Sequence, residues 1–115
     1  MSQTAGFKAE DCARVYLLAQ GLTWVTSNYR ARCGEIDLIM QELDVLVFVE
    51  VRARSSMAFG GGAASVTYHK QQKLIRTASL YLQKFKLHDQ CVARFDVVSL
   101  DGVPPAITWI RDAFQ

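Results

Sequence analysis

Apolar residues recur through the first twenty positions at helical rather than strand spacing. In "AGFKAEDCARVYLLAQ", residues 5 to 20, Ala5, Ala9, Ala13, Tyr16 and Leu17 line one face and Gly21 follows as a stop, which predicts a first helix. The rhythm then changes to β-branched and aromatic stretches. "LTWVTSNYR", "GEIDLIM" and "DVLVFVEVRAR" read as three strands, the last two separated by a short polar turn around Gln41 to Asp44. Tight connections between consecutive strands imply an antiparallel meander. "SSMAFGGGAAS" holds the glycine run Gly60 to Gly62 and reads as a loop near whatever site the strands build. From about Ser65 to Lys86 helical spacing returns, with Leu74, Ile75, Ala78, Tyr81, Leu82 and Phe85 as the stripe and Ser65 where an N-cap belongs. "CVARFDVVSLD" is then a strand, "GVPP" a turn, and "AITWIRDAF" a last strand or a strand with a tail.

The order α, β, β, β, α, β, β predicts an α/β fold with a central mixed sheet flanked by helices. The strand after the long helix can rejoin the sheet in parallel through a crossover. With 115 residues there is room for one domain, residues 1–115, and the composition, half apolar and 21% charged, is that of a globular chain. No uncharged apolar window reaches the roughly 18 residues of a membrane span, and the N-terminus lacks the basic-then-apolar pattern of a signal peptide, so a cytoplasmic protein with no membrane partner is expected. Cys12, Cys33 and Cys91 are odd in number and widely spaced, with no CxxC pair, and read as reduced thiols.

Chemistry enters in the third strand. Alternation puts Leu46, Phe48, Glu50, Arg52 and Arg54 on one face and Val45, Val47, Val49, Val51 and Ala53 on the other. The first face turns from apolar to charged midway. A buried Glu50 needs a guanidinium, a metal or water in a cleft. Glu50 and Arg52 stand about 7 Å apart along the strand, near enough to address one phosphate. The preceding strand has Glu35, Asp37 and Ile39 on one face and Ile36, Leu38 and Met40 on the other, and pairing through the turn sets Asp37 beside Glu50. Adjacent carboxylates repel unless one holds a proton or a divalent cation sits between them, and oxygen-only ligation suits Mg²⁺ or Mn²⁺. The same three residues, Asp37, Glu50 and Arg52, also suit a plain cross-strand ladder of ion pairs, so both readings stand.

Two other residues carry the same ambiguity. Glu10 falls on the apolar face of the first helix, with Ala13 and Leu17 at i+3 and i+7; it is either a metal-site carboxylate or the partner of Arg14 at i+4. Lys70, four residues before Leu74, is either a phosphate ligand at a helix N-terminus or a lysine whose stem packs on the core.

Net charge is only +2, yet Arg30, Arg32, Arg52, Arg54, Lys70, Lys73 and Arg76 crowd into one stretch. Tyr29 beside Arg30 and Arg32 interleaves an aromatic with cations, as nucleic-acid backbone contacts do and as a solvated turn also does. Arg54 and Lys70 are candidates for the same contacts. His69 and His88 read as surface residues, and Asp96 in "RFDVV" as a local hydrogen-bonding group rather than a catalyst.

Together "AEDCARVYLLAQG", "NYRARCGEIDLIM", "LVFVEVRAR", "YHKQQKLIRTASLYL" and "RFDVVSL" resemble, in order and over nearly the whole chain, the bacterial YraN family of small uncharacterised proteins. That family is similar to archaeal Holliday-junction resolvases in the restriction-endonuclease-like PD-(D/E)xK nuclease superfamily, whose core is αβββαβ. The resemblance implies that the motif aspartate is Asp37 in "GEIDLI", that the E-x-K element is Glu50, Val51 and Arg52 in "VEVR", and that Glu10 matches a helix-one glutamate completing the metal site. It further implies Mg²⁺ or Mn²⁺ held by Glu10, Asp37, Glu50 and the backbone carbonyl of Val51, catalysis by Asp37, Glu50 and Arg52, and a DNA substrate such as a branched junction. Symmetrical cutting of a junction would ask for a two-fold homodimer.

This chain departs from the pattern at Arg52, where those nucleases carry a lysine that orients the attacking water or stabilises the pentacovalent phosphorane. Arginine keeps the charge and can clamp phosphate bidentately, but it stays protonated, so an electrostatic role survives and a base role does not. The departure keeps a second expectation in view: a nucleic-acid-binding module that retains the nuclease fold without turnover. A protein-interaction domain with a structural ion-pair cluster is a third.

Overall fold

A computed structural model describes residues 8–54 and 66–115. Helix α1 (Ala9–Ala19) buries Ala13 and Leu17 and carries Glu10 and Asp11 in its first turn, where the helix dipole favours acids. It ends in two reciprocal bonds, Gly21 N–H to the Leu18 carbonyl and Leu22 N–H to the Leu17 carbonyl, each 3.1 Å. Gly21 sits at φ +103°, a left-handed turn that a side chain would strain, and Leu22 drops into the core beside Leu17.

Strands β1 (Thr23–Ala31), β2 (Gly34–Glu42) and β3 (Val45–Arg54) form the expected meander, followed by α2 (Tyr68–Lys84), β4 (Val92–Asp101) and β5 (Ala106–Phe114). The sheet order is β1-β2-β3-β4-β5, with β3 and β4 parallel and every other pair antiparallel. Helix α2 is the crossover between the parallel pair, and the last segment is a full strand. None of the described helices is long and apolar enough to cross a membrane.

The alternation read along β3 divides the core into two layers. Val47 and Val49 pack with Leu38, Met40, Val98 and Leu100 under Ala13 and Leu17 of α1. Leu46 and Phe48 pack with Ile39 and Val97 under Leu74, Ala78 and Tyr81 of α2. A central strand covered on both faces is an apolar run, which is why "VLVFV" shows no polar alternation until Glu50.

Three expectations are corrected. The N-cap of α2 is Thr67, whose hydroxyl accepts the Lys70 N–H at 3.2 Å; Ser65 and Gly60 to Gly62 lie outside the described residues. The helix closes at Lys84, because Lys86 takes φ +58° and the Leu87 N–H turns back to the Leu82 carbonyl at 2.8 Å, leaving Phe85 half exposed beyond the stripe. Ile36 packs with Tyr29 and Ile39 on the α2 side instead of with Leu38 and Met40. The alternation of β2 breaks at Asp37, between the rungs Ser27↔Leu38 and Tyr29↔Ile36, where Asn28 adopts φ +54°. The β2–β3 ladder runs only to Leu38↔Val49, and the next contact is made by a side chain: Asp37 Oδ2 accepts the Val51 N–H at 2.9 Å.

Candidate functional site

Glu50 is 3% exposed at the point where β3 emerges from the core. Its Oε2 receives Lys70 Nζ at 2.9 Å and Arg52 Nη1 at 3.2 Å. One partner comes from its own strand, as alternation requires; the other is delivered by the first turn of α2. Both cations keep access to solvent, their side chains being 42% exposed for Lys70 and 30% for Arg52.

Asp37 stands beside Glu50, as the hairpin register predicts. Burial and the neighbouring Glu50 carboxylate push its carboxyl up to about 7 from an ordinary 3.8; Glu10 adds to the rise through its charge, and the Val51 N–H opposes it. Asp37 therefore keeps its proton up to about neutrality.

The shift has a consequence for stability. Between its ordinary value and about 7 the folded chain keeps the Asp37 proton that the unfolded chain releases, so stability falls as pH rises through that window and the contribution is gone above it. In EDTA, Asp37→Asn is expected to match wild type near pH 3.5 and to exceed it by about 2 kcal/mol at pH 8, allowing for partial solvent access. Urea unfolding across this range checks it; a difference independent of pH would contradict the assignment.

A cleft of about 370 Å³ opens beside Asp37, and Glu50 meets it through the Lys70 head. Gly34, Glu35 and Asp37 form one wall and Thr67, His69, Lys70 and Lys73 the other, with Leu74 at the base. A Cβ on Gly34 would stand 3.1 Å from Thr77 Oγ1, so a side chain there asks that hydroxyl to give way by a few tenths of an ångström. His69, read as a surface residue, is exposed but lines this cleft, and Lys73 joins it; His88 is exposed elsewhere. In the sequence His69 carries no signal beyond flanking Lys70, and Lys73 only its place in the basic stretch from Arg30 to Arg76.

The structure brings Asp37, Glu50, Val51, Arg52 and Lys70 together. Glu10 acts on Asp37 through its charge, and the Glu10–Arg14 bridge is not formed: Arg14 pairs with Asp11 at 3.6 Å and lies over the Trp24 ring at 5.4 Å. Among the described residues no group of three His, Cys, Asp or Glu side chains converges closely enough to hold an ion. Arg30, 80% exposed, bonds Glu35 at 3.3 Å and so reaches the cleft wall only through that carboxylate. Arg32 lines a separate shallow groove of about 260 Å³ with Cys33 and Arg76. Arg54 is in register with Asp101 of β4, and its carbonyl accepts the Gly102 N–H at 2.8 Å.

A second polar cluster lies on the opposite face of the sheet, with Asp96 in register with Val49 of β3. Asp96, fully buried, accepts Arg94 Nε at 2.9 Å and Nη2 at 3.1 Å, Trp109 Nε1 at 2.9 Å and the Asp112 N–H at 2.9 Å. Arg94 also reaches Glu42 at 2.9 Å, which takes Arg111 at 2.7 Å and is held below the ordinary carboxylate range by both guanidinium groups. Asp96 is thus far more than a local turn bond; it ties β4 to β5 and, through Arg94, to the end of β2.

The sequence also has close relatives. A family model described as "Uncharacterised protein family UPF0102" matches residues 9–100. A UPF0102 protein of Legionella pneumophila is 53% identical over the whole chain and 98% of its own length. One from Nitrosomonas europaea is 54% identical over 96% of this chain and 92% of its own, and one from Coxiella burnetii 46% identical over 100% and 95%.

Proposed function

The chain belongs to UPF0102, the YraN family, and from its site we propose that it is a metal-dependent endonuclease that hydrolyses phosphodiester bonds in DNA, with branched DNA as the substrate class. One observation carries the reading: Asp37, kept protonated toward neutrality by burial and by the Glu50 carboxylate beside it, lines a cleft, while two solvent-reaching cations converge on one oxygen of Glu50. A ladder built only for stability gains nothing from a second carboxylate pressed against the first. A divalent cation held there would offset that repulsion in place of the Asp37 proton, and an all-oxygen donor set suits Mg²⁺ or Mn²⁺.

Asp37 and Glu50 would hold the ion; the family resemblance adds the Val51 carbonyl and Glu10, whose carboxylate does not converge with the pair among the described residues. When bound, the ion supplies Lewis acidity to water and to the scissile phosphate. The chain's own residues do the rest. Arg52 brings a planar, permanently charged fork to the phosphate, Lys70 adds a second positive head, and Arg30, Arg32 and Arg54 supply outer contacts to the sugar–phosphate backbone. The element order αβββαβ with a mixed sheet supports a restriction-endonuclease-like core. Cutting both strands of a junction symmetrically asks for a two-fold pair of chains.

Arg52 in the motif lysine's place favours one other reading, a DNA-binding module without turnover. End-labelled four-way junction, flap, linear duplex and single-stranded DNA, each with Mg²⁺, Mn²⁺ or EDTA, separate the two. The expected result is metal-dependent cutting, abolished by EDTA and lowered at least about a hundredfold in Asp37→Asn. Binding that weakens steeply with salt but leaves every substrate intact would establish the binding module instead. Neither binding nor cutting would remove both.

A further inference from the structure

We propose that Lys70 of α2 is the catalytic ammonium that this chain's E-x-K element lacks, an inference that rests on the nuclease reading. Position 52 on β3 carries a guanidinium, yet the carboxylate oxygen that Arg52 addresses, Oε2 of Glu50, also receives an ammonium from twenty residues further along the chain, and at the shorter distance, 2.9 Å against 3.2 Å. Two elements thus deliver two different cations to one atom.

The two are not equivalent with respect to the cleft. Among the described residues Lys70 forms part of its wall opposite Asp37, whereas Arg52 does not line it. Lys70 is also held where it is: its backbone N–H donates to the Thr67 hydroxyl at 3.2 Å, Gln71 bonds the Val66 carbonyl at 3.1 Å, and Leu74, one turn on, is buried against the sheet. The cap fixes the first turn of α2, and the first turn aims the side chain.

An ammonium is a compact charge with three donors, so one N–H can stay on Glu50 while another meets a non-bridging phosphoryl oxygen. Lys70 forms and breaks no covalent bond and stays protonated. As the oxygen of water adds to phosphorus and the bond to the leaving sugar oxygen breaks, negative charge builds on that phosphoryl oxygen, and the ammonium is already in place beside it. The water's proton passes to solvent, and the leaving oxygen takes one back. Arg52 remains as the clamp on the flanking phosphate.

Single-turnover cleavage of the substrate that wild type cuts tests this, with DNA affinity measured separately in EDTA. Lys70→Met is expected to lower the cleavage rate about 10²- to 10³-fold while affinity falls by no more than about tenfold, the share of one phosphate contact, and Lys70→Arg is expected to lose rate nearly as far. The double variant Arg52→Lys/Lys70→Met should recover at least tenfold over Lys70→Met, because a lysine at the motif position reaches the same oxygen. Cleavage by Lys70→Met within threefold of wild type, or a double variant no faster than Lys70→Met, would overturn the assignment while leaving the nuclease reading intact. A wild type that cuts nothing would instead defeat the nuclease reading, and this inference with it.

Discussion

Asp96→Ala is expected to cost about 3–5 kcal/mol of folding free energy. The carboxylate is fully buried and accepts four hydrogen bonds, from both arms of Arg94, the Trp109 indole and the Asp112 backbone. Removing it strands a mostly buried guanidinium and an indole N–H, and the cost of an unpaired buried charge exceeds the worth of any bond that replaces it. Glu42 still holds Arg94 at 2.9 Å, which keeps the loss from running higher. Asp96→Asn preserves an acceptor for Trp109 but not the charge and should fall between alanine and wild type. Urea unfolding at pH 7 measures both, as a lowered midpoint at unchanged slope. A loss under about 1 kcal/mol for alanine would mean that the network re-pairs without its centre.

Glu50→Gln is expected to do the opposite: cleavage falls by about 10³-fold or more while stability stays within about 1 kcal/mol of wild type. The Glu50 charge is attracted by Lys70 and Arg52, whose heads are partly solvated and therefore screened, and repelled by Asp37, whose pKa is raised first by burial and then by that repulsion. Neutralising Glu50 loses the first and relieves the second. Catalysis has no such compensation, because the variant removes half of the carboxylate pair and the anchor of Lys70 together. Cleavage rates and urea midpoints on the same preparation decide it. A stability loss like that of Asp96→Ala would identify Glu50 as the centre of a structural knot. Nearly equal stability with lost cutting is the signature of a group kept for chemistry rather than for folding.

How much of this was legible in the sequence depends on how far each contact reaches along the chain. The element order, the two faces of β3 and the placing of Asp37 beside Glu50 follow from periodicity and from a tight hairpin, in which the short turn between Glu42 and Val45 sets the register of everything beyond it. The break at Ile36 was not legible. It coincides with Asp37, whose side chain takes the Val51 N–H, and with the facing Asn28 at φ +54°, neither of which an alternation rule contains. The ammonium on Glu50 was not legible either: Lys70 showed an ambiguous position at a helix start, and only the path of α2 across the sheet between β3 and β4 carries it to that carboxylate.

The Asp96 network shows the same limit most clearly, since Arg94 finds Glu42 across 52 positions and Arg111 finds it across 69. Local patterning determined which residues would be inside, which strand would end in charge, and which two carboxylates would meet. Tertiary structure decided what surrounds those carboxylates and which buried acid is structural. Hydrophobic period and turn chemistry act over a few residues, whereas ion partners are chosen by whichever elements the packed sheet and its crossover bring within about 3 Å of one another.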